Sequence, residues 1–176
     1  MPAYELYTVG HSDKPLDQFI RLLKSHAIEQ VVDVRTIPMS RHNPQFNKAD
    51  LSKCLRNRNI GYRHMKQLGG LRHAKADSQN LGWENLSFRG FADYMATAEF
   101  AEAIKKLKAI ARKKRTAIMC AEAVPWRCHR SLIADALTYQ HWKVFHIMSF
   151  RSIKIHKVTS FLRILKGKIA YPRTQP

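Results

Sequence analysis

Short runs of aromatic and β-branched residues alternate with segments of helical spacing, and this alternation restricts the fold more than any other feature of the chain. Tyr4–Val9, Gln30–Val34, Tyr62–Met65, Thr116–Met119 and Lys143–Ile147 read as strands. Between the first two, Leu16, Phe19, Ile20 and Leu23 share one face of a helix that opens at Pro15. Leu51–Asn57 and Phe91–Met95 also read as helical, and Thr97 can cap a helix carrying Phe100, Ile104 and Leu107. Leu132, Ile133, Ala136 and Leu137 lie on one side of another, and Phe161, Leu162 and Leu165 suggest a last amphipathic helix in the tail. Strands separated by helices require right-handed crossovers. The expected fold is therefore α/β: a single Rossmann-like domain, with a mostly parallel sheet and helices on both faces. A chain of 176 residues, 45% of them hydrophobic, can bury one core. The domain is expected to span 1–176, with a basic C-terminal extension from about 150. Thr8, Asp33, Met119 and His146 should lie near the carboxyl ends of neighbouring strands.

Such sheets bind ligands outside those carboxyl ends. The rule gathers His11 and Ser12 after the first strand, Arg35 with the Ser40-Arg41 loop after the second, and Cys120 with Glu122 after the fourth. The turn from Cys120 to Arg130 also holds Trp126, Arg127, Cys128 and His129, although a turn that only reverses the chain favours Gly, Asn and Asp. A helix starting beyond Pro125 would offer free backbone N–H groups beside Arg127, His129 and Arg130, which suits an anion and favours a thiolate. Glu122 works the other way, since a carboxylate beside Cys120 raises its pKa. Either Cys120 is a nucleophile with Glu122 as acid or base, or Glu122 itself carries the chemistry; His11 completes the catalytic candidates. Ser12, Arg35, Ser40, Arg41, Trp126, Arg127, Cys128, His129 and Arg130 are the candidates for holding an anionic substrate. An internal Arg35–Glu122 salt bridge is the structural alternative.

Lys and Arg number 31 against 13 Asp and Glu, a formal net charge of +18. A field of that sign draws phosphates and nucleic acid. Three function classes follow: an enzyme acting on a nucleotide or nucleic-acid substrate, a non-catalytic nucleic-acid-binding protein, and a metal protein using Cys120, Cys128, His129 and His11. The C-x7-C-H spacing is unlike the usual zinc patterns, so no metal and no cofactor is expected. The partner is an anionic small molecule or nucleic acid. Three irregularly spaced cysteines, no signal peptide in MPAYELYTVG and no membrane-length apolar run point to the cytoplasm and away from a membrane.

Two resemblances meet at these residues. Asp33-Val34-Arg35 ending one strand, and Cys120 ending another before a helix, resemble the layout of rhodanese and Cys-dependent phosphatases, in which a loop cradles an anion around a thiolate. Here Arg127 comes one position late, and the loop holds Glu122 and Pro125 but no Gly. Thr8-Val9-Gly10-His11-Ser12, Asp33-Val34-Arg35 with Pro38-Met39-Ser40-Arg41, Leu68-Gly69-Gly70, Phe88–Met95, and Met119-Cys120-Ala121-Glu122 with Trp126–Arg130 resemble the blocks of a prokaryotic family called domain of unknown function 488. That resemblance implies one α/β domain, gives no reaction, and places Leu68–Gly70 and Phe88–Met95 at the same site as the Cys-rich turn.

The charge imbalance makes a prediction of its own. Binding to single-stranded DNA should weaken by about fiftyfold between 50 and 200 mM salt if about four phosphates are contacted. Fluorescence anisotropy at several salt concentrations measures this, and affinity that is absent or insensitive to salt removes the nucleic-acid reading.

Overall fold

In the computed structural model, which describes residues 4–174, the carboxyl ends of the central strands stand level because their registers interlock. Strand β1 (Glu5–Gly10) pairs with β4 (Thr116–Cys120) so that Gly10 faces Cys120. Strand β2 (Gln30–Asp33) pairs with the other side of β4, setting Asp33 opposite Met119. Adding β3 (Gly61–His64) and β5 (Lys143–Ser149) gives a parallel run ordered β3-β2-β4-β1-β5. Thr8, Asp33, Met119 and His146 thus lie on parallel, mutually adjacent strands, as the alternation requires. One edge carries an antiparallel strand that the sequence reading lacks, β6 (Ser152–Ile155), folded back on β5.

Successive residues of each strand face opposite cores. Tyr7, Val9, Val31, Ala117 and Met119 pack with Phe19, Ile20, Leu23, Leu51 and Leu55 of α1 (Leu16–Ser25) and α2 (Lys48–Arg56). Leu6, Val32, Ile118 and Cys120 face the other way, onto α3 (Leu86–Met95), α4 (Ala98–Ala111) and α5 (Arg130–Tyr139). The result is an α/β domain of Rossmann-like type with helices on both faces. No helix among the described residues is long and apolar enough to cross a membrane.

The caps decide where the helices begin. Thr97 caps α4 through its hydroxyl, which accepts from the Phe100 amide. Asn85 caps α3 by accepting from the Ser87 and Phe88 amides, so this helix starts a turn earlier than the apolar spacing suggested. The preceding loop is tied down by Asp93, which accepts from the Lys75 amide and from Asn80 Nδ2. The tail departs from expectation. Arg163–Leu165 is strand β7 and Lys168–Ala170 is β8, not a helix. Lys166 and Gly167 both have positive φ, 50° and 75°, as a two-residue hairpin turn demands. Beyond it, Tyr171 is fully buried and donates its hydroxyl to Asp135.

Two buried histidines set the acid limit of this fold. Burial lowers His146 to about 3 and His11 to about 4, from an ordinary 6.5. Both stay neutral in the folded chain and bind protons in the unfolded one below pH 6.5. Their contribution is therefore complete above pH 6.5 and is lost progressively as pH falls towards 4. Each costs at most about 1.4 kcal/mol of stability per pH unit in that window. Melting temperature followed from pH 8 to pH 5 should fall, and His146→Gln should flatten the slope; a melting temperature that rises on acidification contradicts the assignment.

Candidate functional site

Cys120 ends β4 on the face that packs against α5, and the chain then folds over the end of β1. Gly10 permits this: a Cβ there would overlap the carbonyl of Glu122. The His11 and Ser12 amides donate to the Cys120 and Ala121 carbonyls and fasten the turn. A single 3-10 turn, Pro125–Arg127, then sets Cys128 immediately before α5. The helix begins at Arg130, later than the sequence suggested, and its first turn is directed at sulfur. The Arg130 amide and Nε each lie 3.4 Å from Cys128 Sγ.

The two thiols are free, and their sulfurs are 2.6 Å apart. Cys120 is pushed well above its ordinary range, first by its hydrogen bond to Cys128 and then by burial. Burial also opposes ionisation of Cys128, but the S–H donated by Cys120, the Arg130 guanidinium and the Arg130 amide outweigh it and bring Cys128 down to about 7. Of the two, Cys128 is the one whose surroundings favour the charged form. The sequence left Cys120 and Glu122 as alternative reactive groups, and the surroundings of Cys128 add it to the candidates.

Arg130 is turned inward. Only 1% of it is exposed, and its guanidinium donates to Cys128 Sγ, to Thr8 Oγ1 at 3.1 Å and to the Glu122 carbonyl at 2.7 Å. Arg35 is likewise committed to the interior. It pairs with Asp33 at 2.6 Å, not with Glu122, and donates to the Phe46 carbonyl. Its Nη1 lies 3.3 Å from His11 Nε2. His11 donates Nδ1–H to the Ser12 carbonyl, so Nε2 is the acceptor from Arg35 and neither ring nitrogen is free. His11 is stacked on Phe46 and 1% exposed, and it lines the cleft over the cysteines.

His129 donates Nε2–H to the carbonyls of Val34 and Leu68, at 3.0 and 2.9 Å. That fixes the tautomer, leaving Nδ1 bare and 3.6 Å from Cys128 Sγ. Burial keeps the ring neutral. Gly70 lies against it, where a Cβ would come within 2.6 Å of Nδ1. Cys120, Cys128 and His129 thus place three metal-type donor atoms within 4.8 Å of one another, a convergence that the sequence spacing argued against; His11 is not among them. Two thiolates on one tetrahedral zinc stand about 3.8 Å apart, so binding an ion here would require the two sulfurs to separate.

A cleft of about 410 Å³ opens over these groups. Cys120, Cys128 and His129 line it together with Arg35, Ser40, Glu122 and Arg127. Gly70 and Phe88 also line it, so two blocks remote in sequence reach the site. Glu122 and Arg127 are exposed at its rim. Ser40 shapes the loop beside it, accepting from the Asn43 amide and donating its own amide to Asn47. Arg41 is exposed and not in the lining, Ser12 hydrogen-bonds Asp13, and Trp126 borders a different cavity.

Sequence reasoning missed the groups behind Arg130. Thr8 Oγ1 accepts from Arg130 and donates to His146 Nδ1, and His146 Nε2–H donates to His156 Nδ1. His156 Nε2–H donates to Asp135. The residues are far apart in the chain, and only the β1–β5 register, with Thr8 opposite His146, unites them.

Alkylation by iodoacetamide, mapped by mass spectrometry, tests the proton's location. Cys128 should react with a midpoint near pH 7 and before Cys120. Cys120→Ala removes the donated S–H and should raise the Cys128 midpoint by about one unit or more. Reaction of Cys120 first reverses the assignment.

Comparison with curated proteins and with solved structures brings no match. Residues 15–137, from the start of α1 almost to the end of α5, match the family described as Domain of unknown function DUF488, and the chain belongs to that family.

Proposed function

We propose that this protein is a cysteine-dependent enzyme acting on an anionic, phosphate-bearing substrate, with Cys128 as its nucleophile. One observation carries the reading: Cys128 sulfur, at the floor of a cleft, lies against the Cys120 sulfur and takes hydrogen bonds from the amide and guanidinium of Arg130. A buried guanidinium needs a negative partner, and no carboxylate pairs with Arg130 among the described residues. Ionised Cys128 supplies that charge, so thiolate and guanidinium hold each other in the interior.

In the first step the Cys128 thiolate donates its electron pair to the electrophilic centre of the substrate, and the leaving group departs with the bonding pair. Cys120 stands ready to give that group its proton, and Glu122 at the rim is the second acid or base. His129, its ring held by two backbone carbonyls, presents a bare Nδ1 that can accept the proton of the Cys128 thiol as it ionises. Arg127 is the arginine of the lining that is exposed, and the +18 field brings anions towards it. The geometry speaks against the phosphatase-like variant. The first amide of α5 is directed at sulfur, and Arg130 and Arg35 are consumed by internal partners, so no ring of free donors surrounds the thiol.

A soft-metal site is the second reading, favoured by the three converging donors and by the anchored Nε2 of His129. One set of measurements separates the two. The protein is purified without chelator, assayed for metal content and incubated with nucleotides and oligonucleotides, and products are followed by chromatography. Product formation should fall by about a thousandfold in Cys128→Ser and less in Cys120→Ala. Turnover unaffected by Cys128→Ser ends the nucleophile reading. About one zinc per chain, with activity lost on chelation, transfers Cys120, Cys128 and His129 to ligand roles.

A further inference from the structure

A second and larger cavity, about 530 Å³, lies on the α5 side of β5 and β6. It shares no lining residue with the cysteine cleft, although the two are neighbours in the chain: Trp126 borders one and Arg127 the other. Its volume falls within the roughly 300–1,000 Å³ of small-molecule sites. Its walls are apolar at Pro125, Met148 and Ile155, and one side carries Trp126 with 58% of its surface exposed. An indole left in water beside an apolar wall is a stacking platform for a flat ring.

The polar groups of the cavity divide into satisfied and unsatisfied. His146 and His156 face it, but every ring nitrogen is engaged in the chain from Thr8 to Asp135, so the imidazoles form a fixed wall and have no base to offer. Trp83 is different. Its ring is held by Phe88, Phe161 and Tyr171 at 5.1, 5.0 and 5.5 Å, yet its indole N–H is buried without a hydrogen-bond partner. A buried donor left unpaired is costly, and a ligand acceptor would satisfy it. Lys154 and Lys157 are exposed at the same cavity, no acidic residue lines it, and neither lysine is in an ion pair among the described residues. Flat aromatic surface, an orphan N–H and two uncompensated ammonium groups select a heteroaromatic ring that bears an anionic group.

We propose that this cavity is a second binding site and that it takes a nucleoside monophosphate, the base stacked on Trp126 and the phosphate held by Lys154 and Lys157. The site does not depend on the thiol chemistry, and its test is chosen accordingly. AMP, GMP, CMP and UMP are titrated into the full-length protein by calorimetry and tryptophan fluorescence, with inorganic phosphate as the control. At least one nucleotide should bind and quench the fluorescence, with inorganic phosphate at least about tenfold weaker. Trp126→Ala, and separately Lys154→Gln with Lys157→Gln, should each weaken binding by about tenfold or more; all three positions are exposed, so folding is preserved. Cys128→Ser should bind like the wild type, which keeps this result apart from any failure of the nucleophile reading. Three results overturn the proposal: no binding of any of the four at millimolar concentration, phosphate binding as tight as nucleotide binding, or wild-type affinity in the Trp126 and lysine variants. Loss of binding in Cys128→Ser would place the ligand in the cysteine cleft and overturn it equally.

Discussion

The buried guanidinium of Arg130 is the constraint around which the carboxyl end of the sheet is arranged. An arginine with 1% exposure must satisfy its donors and neutralise its charge. It does so across three elements: Thr8 of β1, the carbonyl of Glu122 in the turn, and Cys128 sulfur at the mouth of α5. Truncating it would strand the Thr8 hydroxyl, free the Glu122 carbonyl and leave the thiol without its counter-charge. Fold and chemistry therefore share one side chain.

The second buried cation makes a useful contrast. Arg35 meets Asp33 bidentately, through Nε at 2.9 Å and Nη2 at 2.6 Å, and Tyr62 donates its hydroxyl to the same carboxylate. That cluster is electrically complete. Arg35 thus has a carboxylate as its counter-charge. The partner of Arg130 is a thiol, which ionises near neutrality only because of its surroundings. Two buried arginines, one following β2 and one opening α5, thus differ in the group opposite them, a carboxylate for Arg35 and a thiol for Arg130.

Much of the architecture was legible because hydrophobic periodicity is local. Strands Gln30–Asp33 and Thr116–Cys120, the Thr97 cap and the level arrangement of Thr8, Asp33, Met119 and His146 all follow from residues close in sequence. The tail was misread for a physical reason: Phe161, Leu162 and Leu165 mimic helical spacing, while the decisive signal was the Lys166-Gly167 pair, whose positive φ values make a hairpin. At the site, the convergence of Cys120, Cys128 and Glu122 on one turn was visible, but the direction of each side chain was not. Arg35 and Arg130 are anion-binding candidates and His11 a catalytic one by sequence, and the internal hydrogen bonds of all three were out of view because a sequence shows charge and hides burial. Pairing of Thr8 with His146, and of His156 with Asp135, needed the sheet register and the fold-back of β6.

Alternation along β4 also makes the site intolerant of length changes. Met119 belongs to the core under α1 and α2, and Cys120 to the core under α5. A single-residue insertion or deletion in Thr116–Met119 would turn the thioether towards Cys128 and bury the thiol of Cys120 against the wrong helices. The hydrophobic content of both cores would hardly change, so such a chain could still fold. It would nevertheless hold a lone cysteine facing a sulfur that carries no proton, and a buried arginine whose partner has reverted to a neutral thiol.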